Sequence, residues 1–485
     1  MTAVATILIS VPHGAAAGNM LRHGLLGRLL GADSSARVVL ASPLSRDAGF
    51  VREFAHPRVE FEDLPAHTPS GLEGRLLTLM QACYLESGIT ESVRIRRAEA
   101  EAKGTIRWIR AKARLGNTLA PSIAKPASRY DLSDRLVSHP HADALFERYR
   151  PSLLVTSSPG LILSEVPLLR TAVRRRVRAL AIDPSWDNFT NKLLPVRRVD
   201  RLFVWNTLMR DQAIAWHGYR TDMIRLCGAS QFDGYFVGGI PASRDEFCQL
   251  IGADPRRKLI TLTTTPRELY PFHERAVRHL SAAIVSGSIA QPSQLLVRLH
   301  PRDDEAAYRE VKALPQVIIE KPFRPTVKAA DGLAVDVMPE HQRHLAETMR
   351  HTDVAVNVAS TITIEACVFG TPVVNIAFDG AEPLEYARSA RRYYAFTHYM
   401  NITRHNAVRV ADTPDEMIAH INAYLAAPDL DAEGRQRVVE EQCEFVDGRA
   451  GDRIAAGVVE EFADVLGRPL IADGTDPVAA TAASA

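Results

Sequence analysis

The stretch Asn357–Asn375, NVASTITIEACVFGTPVVN, decides the fold. It begins inside the apolar, β-branched run Val354–Val358, which predicts a strand buried on both faces of a parallel sheet. Ile362–Phe369 predicts about two turns of helix, and Gly370 is a typical helix stop. Val373–Ile376 then predicts a second strand. Together they predict the strand–loop–helix–strand unit of an α/β sheet.

The loop of this unit carries side chains that suit a phosphorylated ligand. Ser360 and Thr361 are typical N-cap residues, and a helix N-terminus at the carboxyl edge of a sheet favours phosphate. Glu365 lies four residues after Thr361 and therefore on the same helix face. A carboxylate beside two hydroxyls suits a sugar or ribose diol. The alternative is a solvated helix glutamate, and the spacing alone leaves both open.

The pattern ST-x3-EA-x3-GTPVV resembles the phosphate-binding unit of GT-B-fold glycosyltransferases. Similar units occur in sugar 2-epimerases and in CDP-glycerol-type polyol-phosphate transferases. The resemblance implies two doubly wound, Rossmann-like α/β domains that face a central cleft. It also implies that Ser360 and Thr361 meet the phosphates of a nucleotide-linked donor, and that Glu365 meets ribose or sugar hydroxyls.

Composition bounds the remaining possibilities. A chain of 485 residues is long enough for two domains. The net charge of +1 gives no reason to expect nucleic acid as a partner. The five cysteines are scattered, which favours a reducing, cytoplasmic setting. The first residues resemble a strand rather than a secretion signal, and no apolar run could span a bilayer, so we expect any membrane contact to be peripheral.

The chain divides into four segments on this basis. Residues 1–240 are predicted to form the acceptor-side domain, with a helical, basic insertion at 72–149. Residues 241–256 are predicted to be a linker, and residues 257–470 the nucleotide-donor domain. The Ala-rich tail, 471–485, is predicted to be disordered.

The insertion contains a basic cluster. Eight arginines and lysines lie between Arg94 and Arg114, with Trp108 among them. One interpretation is a surface whose charges are merely solvated. The other is a docking patch for an anionic membrane or a lipid-phosphate acceptor.

A second motif follows a predicted strand of the first domain. The run Asp183–Lys192, DPSWDNFTNK, resembles the W-D-N-x-T-x-K segment of bacterial GT-B-like polysaccharide enzymes. Because it stands at the carboxyl end of a strand, we expect Trp186, Asn188 and Lys192 to line the cleft. The alternative is a loop whose acid and amide bond their own backbone.

The donor domain offers further polar candidates. His300 and Arg302 belong to an HPR-D turn after a predicted strand, which resembles the polymerase and polyol-phosphate transferase group. Both side chains suit a diphosphate, although a simple surface turn is the alternative. Thr264, after another strand, is assigned to the donor as well.

The resemblance adds two donor contacts. It places Met338 at the nucleotide base and Asp379 at the sugar. No D-x-D stands at a convincing strand end, so we expect no essential metal and no cofactor, with a helix N-terminus and fixed charges stabilising the leaving diphosphate.

The attack of an acceptor hydroxyl requires a base with a pKa near 7. His13, directly after the first strand, and Asp187, in the W-D-N loop, are the leading candidates, and His23, on a predicted helix, is a third. The predicted function is transfer of a sugar from a nucleotide-diphosphate donor to a glycan or lipid-linked acceptor in cell-surface polysaccharide synthesis. A CDP-polyol phosphotransferase and a non-catalytic nucleotide-binding protein are the alternatives.

Overall fold

A computed structural model describes residues 5–119, 137–192, 195, 197–237, 242–321 and 338–470. Within them the chain forms two fully parallel sheets, one of seven strands and one of six. The first comprises β1 (Thr6–Ser10), β2 (Arg37–Ala41), β3 (Val59–Glu62), β4 (Leu153–Thr156), β5 (Arg178–Ile182), β6 (Arg201–Val204) and β7 (Ile224–Leu226). The second comprises β8 (Lys258–Thr263), β9 (Ser293–Arg298), β10 (Val317–Glu320), β11 (Val354–Asn357), β12 (Val373–Ile376) and β13 (Arg409–Ala411).

Helices cover the sheets and connect their strands. The first half carries α1 (Gly14–Ala16), α2 (Leu25–Ala32), α3 (Ala48–Glu53), α4 (Gly71–Ser87), α5 (Glu91–Ala102), α6 (Ile106–Leu119), α7 (Pro140–Tyr149), α8 (Val166–Arg175), α9 (Thr207–His217) and α10 (Asp233–Phe236). The second half carries α11 (Arg244–Ile251), α12 (His273–Ser286), α13 (Arg309–Lys312), α14 (Pro339–His351), α15 (Ile362–Val368), α16 (Thr397–Thr403), α17 (Pro414–Ala426), α18 (Ala432–Gln442) and α19 (Ala450–Leu466).

The strand orders explain where a site can form. The first sheet has the order β3-β2-β1-β4-β5-β6-β7, and the second has the order β10-β9-β8-β11-β12-β13. In each sheet the chain reverses its direction of growth once, between β1 and β4 and between β8 and β11. Open parallel sheets bind ligands outside the carboxyl ends of strands at such a switch point. The predicted doubly wound architecture is confirmed.

The unit quoted first folds as its sequence predicts. Strand β11, helix α15 and strand β12 follow each other, and β11 and β12 pair in parallel. Both strands are buried along their whole length, as β-branched runs in a sheet covered on two faces should be. Gly370 has a φ of +71°, the left-handed conformation that ends helices and that glycine adopts without a steric penalty.

Half of the segment predicted as a linker is helical. Helix α11 occupies Arg244–Ile251 within 241–256, and Ser243 and Glu246 form a reciprocal capping box at its start. Phe247 and Cys248 are buried against Leu259 of the second sheet. The apolar face of α11 packs against the second sheet, and the division of the chain at 241–256 stays a prediction.

The last helix of the chain belongs to the first domain. Ile454, Val458 and Phe462 of α19 are buried in the same apolar cluster as β1 and α2. Asp233 receives hydrogen bonds at its two oxygens from the backbone N–H groups of Ala450, at 2.9 Å, and Gly451, at 2.7 Å. The predicted domain boundary at 470 therefore omits a return crossing of the chain.

The insertion 72–149 is helical where the structure describes it, from α4 to α6 and again in α7. Its residues 120–136, and the tail 471–485, lie outside the described residues. None of the helices in the described part of the chain combines the length and apolarity that a bilayer crossing requires.

Candidate functional site

The W-D-N loop of the first domain touches helix α15 of the second. Trp186 follows β5 and is buried, and its Nε1 donates a hydrogen bond to Thr361 Oγ1 at 3.1 Å. The same indole packs edge-on against the ring of His398, with centroids 4.9 Å apart. The two sequence motifs that the resemblance singled out are therefore in direct contact.

The start of α15 differs from the expected capping pattern. Thr361 occupies the N-cap position with helical backbone angles, φ −56° and ψ −30°, and its side chain makes no capping bond. Its hydroxyl instead accepts the hydrogen bond from Trp186. Ser360 Oγ accepts a long bond of 3.4 Å from the backbone N–H of Ile362. The hydroxyl of Thr361 thus serves the contact between the domains.

Glu365 is buried rather than solvated, so the surface alternative for this residue is wrong. One of its oxygens, Oε2, accepts a hydrogen bond of 2.8 Å from the hydroxyl of Tyr235, at the end of the first domain. Burial raises the pKa of Glu365 to about 7, although the Tyr235 bond and the charge of Arg298 act in the opposite direction.

A carboxyl that the sequence analysis did not select lies at the end of β5. Asp183 is 1% exposed. Its Oδ1 accepts hydrogen bonds from Asn188 Nδ2 at 2.7 Å and from the backbone N–H of Ser185 at 3.1 Å. Oδ2 of Asp183 and Oδ1 of Asn188 make no hydrogen bond to any described residue. Burial raises the pKa of Asp183 to about 7.

Asp187, four residues later, has the opposite character. Burial opposes its ionisation, but Lys192 and a hydrogen bond of 2.5 Å from Ser185 Oγ hold its pKa well below the ordinary range. Lys192 Nζ lies 3.7 Å from Asp187 Oδ1. His398 also faces Asp187, but burial lowers its own pKa to about 4, so Lys192 supplies the charge at neutral pH. Asp187 is an ionised carboxylate and a weak base.

A cavity of about 10 Å³ lies at the carboxyl edge of the first sheet. Its lining includes Asp183, Ser157 and Trp205, which directly follow three strands, and Asn19 from the helical segment after β1. Such a volume holds about one water molecule. A sugar hydroxyl reaches Asp183 only if the surrounding loops move apart.

Asp303 stabilises the HPR-D turn. Asp303 is buried, and its Oδ2 accepts hydrogen bonds from Thr264 Oγ1 at 2.5 Å and Tyr308 at 2.9 Å. Thr264 Oγ1 in turn accepts the backbone N–H of His300 at 2.8 Å. The hydroxyl of Thr264 is therefore engaged in fixing the turn beside the switch point of the second sheet.

The ring of His300 is oriented by its own turn. Its Nδ1 accepts the backbone N–H of Arg302 at 3.1 Å, so the neutral ring carries its proton on Nε2. Burial, and then the charge of Arg302, lower the pKa of His300 to about 4. At neutral pH His300 therefore offers an N–H donor, and the charge of this turn resides on the exposed Arg302.

The remaining donor candidates have structural partners. Asp379 follows β12 and is buried, and its two oxygens accept the backbone N–H groups of Leu384, at 3.0 Å, and Ala390, at 2.8 Å. It thus folds the loop that follows it. Met338 stands directly before α14, and the preceding part of its predicted loop, up to 337, lies outside the described residues.

His13 follows β1, as predicted. Its Nδ1 accepts the backbone N–H of Ala16 at 3.1 Å and caps the short helix α1. This bond uses the lone pair of Nδ1, which leaves a proton on Nε2 in the neutral ring. The role of His13 as a base stays a prediction.

The basic cluster divides into two parts. Arg96 of α5 donates to the backbone carbonyl of Asn191 at 2.7 Å, and Ser92 of the same helix exchanges hydrogen bonds with Thr397 of the second domain. Helix α5 therefore bridges the domains. The exposed face of α6 carries Arg107, Trp108, Lys112, Arg114 and Leu115, and Trp108 is 72% exposed.

Sequence reasoning missed Asp183, Tyr235 and His398. Asp183 could have been found, because it is the first residue after a predicted strand, in the same run as Trp186. Tyr235 and His398 stand in stretches without a recognisable pattern, and only the meeting of the two domains brings them to the site.

Comparison with known proteins supports the fold. No protein-family model matches the chain, and neither does any curated protein. A Listeria monocytogenes structure that carries the name of a UDP-N-acetylglucosamine 2-epimerase is 11% identical, with a TM-score of 0.50, over 96% of this chain and 99% of that one. MnaA from S. aureus, solved with UDP, is 10% identical with a TM-score of 0.50, over 96% and 98%. A Rickettsia africae glycosyltransferase is 11% identical with a TM-score of 0.45, over 95% and 98%. The chain has a GT-B-like fold.

Proposed function

We propose that the protein binds a nucleotide-diphosphate sugar between its two domains and transfers the sugar to a glycan or lipid-linked acceptor. The observation that carries this proposal is the contact of Trp186 with Thr361, which joins the carboxyl edge of the first sheet to the helix after β11. Beside it, Glu365 is buried at the same joint. Similar structures named for UDP-sugar chemistry, one of them holding UDP, support a nucleotide-sugar ligand.

In this proposal the second domain holds the donor. The Nε2–H of His300 and the guanidinium of Arg302 stand at the carboxyl end of β9, next to the switch point, and suit the diphosphate. Ser360, Thr361 and Glu365 approach from the end of β11. Met338 and Asp379 are proposed to lie near the base and the sugar.

The first domain is proposed to receive the acceptor, whose hydroxyl must lose a proton as it attacks. His13, Asp187 and Asp183 all stand at the carboxyl edge of the first sheet. Asp183 combines a pKa near 7 with an oxygen that makes no hydrogen bond to the described residues, so we rank it first. Asp187 is better suited to orient a neighbouring group.

The exposed face of α6 is proposed to rest on an anionic membrane, where a lipid-linked acceptor would be found. Trp108 and Leu115 are seven residues apart and so share a face, and Arg107, Lys112 and Arg114 flank them. An aromatic ring among cations is typical of helices at lipid headgroups. All five cysteines are buried and free, which agrees with the proposed cytoplasmic location.

Two segments resemble polyol-phosphate transferases, the HPR-D turn and the D-G-x-A-x-x-R run Asp447–Arg453, and both have another explanation here. Asp447 pairs with Arg453, whose guanidinium lies 4.2 Å from the centre of the Phe445 ring. Asp303 is occupied by Thr264 and Tyr308. Both motifs therefore fasten the fold, and we retain that activity only as an alternative.

Binding of UDP, GDP, CDP and the matching nucleosides by the full chain tests the proposal first. We expect one diphosphate to raise the melting temperature, and His300→Ala to weaken the diphosphate more than its nucleoside, because the lost bond goes to phosphate. His420→Ala is a control on a distant helix. Failure of every nucleotide to bind would refute the proposal.

Turnover then separates the alternatives. Release of nucleoside diphosphate from the selected sugar donor, only in the presence of an acceptor, supports transfer. An epimerised sugar without acceptor would replace transfer by epimerisation. Binding without any product would leave a non-catalytic protein. Liposomes with anionic lipid test α6, where we expect binding to fall with salt and with Trp108→Ala.

A further inference from the structure

Three side chains that commonly bind metal ions meet on elements that the proposed donor and acceptor sites do not use. Glu73 lies in the first turn of α4, His67 in the connection from β3 to α4, and His139 directly before α7. One nitrogen from each histidine and one carboxylate oxygen all lie within 4.8 Å of one another. Two imidazoles and a carboxylate are a donor set that suits a divalent transition metal.

The separations are close to those of a coordination shell. His67 Nε2 lies 3.0 Å from Glu73 Oε2, and His139 Nε2 lies 3.7 Å from Glu73 Oε1. Tetrahedral zinc, with bonds of about 2.0–2.2 Å, places its ligand atoms roughly 3.3–3.6 Å apart. Small side-chain rotations would therefore bring the three atoms around one ion.

The burial of His139 suggests that its side chain requires a partner. The side chain of His139 is only 8% exposed, and its Nε2 makes no hydrogen bond within the described part of the chain. Nε2 of His67 faces Glu73 Oε2 at 3.0 Å. Buried polar atoms of folded proteins are nearly always paired, because leaving one unpaired is unfavourable. A metal ion would pair both nitrogens at once.

Arg170 of α8 contacts the carboxylate of this cluster. It donates a hydrogen bond of 2.6 Å to Glu73 Oε1 and is almost completely buried. Its positive charge lowers the affinity of the cluster for a cation. However, ligand carboxylates are usually held by a hydrogen bond of this kind, which fixes their orientation. Arg170 leaves Oε2 directed at His67.

We propose that His67, Glu73 and His139 form a site for a divalent transition-metal ion of the zinc class. Three protein ligands leave a position for water. The ion would fasten the β3–α4 connection to the start of α7. It would thereby hold the base of the helical insertion, whose helix α5 bridges to the second domain.

Titration of the chelator-treated full chain with Zn²⁺, and separately with Co²⁺, tests this proposal. We expect one equivalent to bind and to raise the melting temperature. Loss of a partner outside the coordination shell typically weakens binding by about 10–100-fold, so His67→Gln and His139→Gln should weaken it at least as much. His141→Gln, at a nearby exposed histidine, should bind like the wild type.

The visible spectrum of the Co²⁺-loaded wild type provides a measurement that does not depend on folding of the variants. Bands typical of a four- or five-coordinate nitrogen and oxygen site support the proposal. Equal binding by the wild type and both histidine variants, or a spectrum of hydrated Co²⁺, overturns it. The cluster would then be a buried ion-pair network around Glu73.

Discussion

The loop Asp183–Lys192 and the start of helix α15 are joined by a hydrogen bond, but the surroundings of their carboxyl groups differ. In α15, Glu365 is the single carboxyl, and its nearest partner is a neutral tyrosine hydroxyl. In the loop, Asp183 and Asp187 are four residues apart, and their pKa values are shifted in opposite directions. Desolvation opposes ionisation of all three, although Asp187 is only half-buried, so desolvation alone does not decide the charge of an acid in this protein.

The neighbours decide it. Asp187 lies near Lys192 and receives a serine hydroxyl, whereas Asp183 receives an amide and leaves one oxygen without a partner among the described residues. A carboxyl with a pKa near 7 can exchange a proton at neutral pH, and a fully ionised one can hold a neighbouring group in place. The loop thus offers both functions on a single turn of chain.

The largest expected effect separates the two acids of the loop by turnover. We expect Asp183→Asn to lower the rate of the proposed transfer by about 10²–10⁴-fold, the usual contribution of a general base. Donor affinity should be nearly unchanged, because the donor is proposed to bind the other domain. The measurement is release of nucleoside diphosphate under single-turnover conditions.

Two parallel variants make this measurement decisive. Asp187→Asn should affect the rate less than Asp183→Asn does. If His13→Ala abolishes turnover while Asp183→Asn does not, His13 is the base. If Asp183→Asn abolishes donor binding, the division of tasks between the domains is drawn wrongly.

The second prediction concerns stability and pH. The folded pKa of Asp183, about 7, is above its ordinary value of 3.8. The folded state therefore keeps a proton that the unfolded state releases. The contribution of Asp183 to stability is fully present below about pH 4 and is lost as pH rises through 7.

Comparison of the wild type with Asp183→Asn isolates this contribution. A difference of one between the folded and unfolded pKa corresponds to about 1.4 kcal/mol of unfolding free energy. As pH rises from about 4 to 8, the wild type should therefore lose on the order of 4 kcal/mol of unfolding free energy relative to Asp183→Asn. For Asp187, whose folded pKa is lowered, stability is present above its ordinary pKa and lost as pH falls. Urea unfolding between about pH 4 and pH 8 measures the contribution of Asp183, and its extension below pH 4 measures that of Asp187. Parallel curves for the wild type and Asp183→Asn between pH 4 and pH 8 would contradict the assigned pKa.

The third prediction tests the acid of α15. Glu365→Ala should weaken donor binding by roughly 1.5–3 kcal/mol, the range for a hydrogen bond to a charged group. Tyr235→Phe is the matched control, since it removes the partner of Glu365 and leaves the carboxyl. Unchanged nucleotide affinity in Glu365→Ala would make the residue a purely structural partner of Tyr235.

The smallest effect is expected at the contact itself. Trp186→Phe removes the donor to Thr361 Oγ1 and keeps most of the ring packing against His398. The free energy of nucleotide binding should weaken by about 1 kcal/mol, the value of one neutral hydrogen bond. Calorimetric titration with the selected nucleotide measures it. A loss as large as that of Glu365→Ala would mean that the contact between the domains dominates binding.

The sequence was sufficient where structure is local. The β-branched runs, the glycine stop and the hydroxyls of Asn357–Asn375 each act within a few residues, and the strands and α15 formed as predicted. The same holds for the parallel sheets, whose inner strands β1, β4, β11 and β12 are buried along their whole length. The position of α11 was not predictable from composition, because a polar, Gly-flanked segment resembles a linker until its apolar face finds Leu259.

The site depended on distant partners. Whether Glu365 is solvated or buried is decided by Tyr235, 130 positions earlier in the chain. The hydroxyl of Thr361 was expected to cap its helix, but an indole from the other domain competes for it. The charge states of Asp183 and Asp187 depend on which of them Lys192 approaches. Spacing along the chain contains none of these pairings.

The return of α19 to the first domain has a consequence for dividing the protein. A fragment ending near residue 240 would contain all seven strands of the first sheet but would expose the apolar surface that Ile454, Val458 and Phe462 cover. A fragment beginning near residue 240 would contain α19 without the first-domain surface against which its apolar face packs. We expect each half alone to aggregate through this exposed apolar surface. Co-expressed, the two halves should associate into one folded protein through α19.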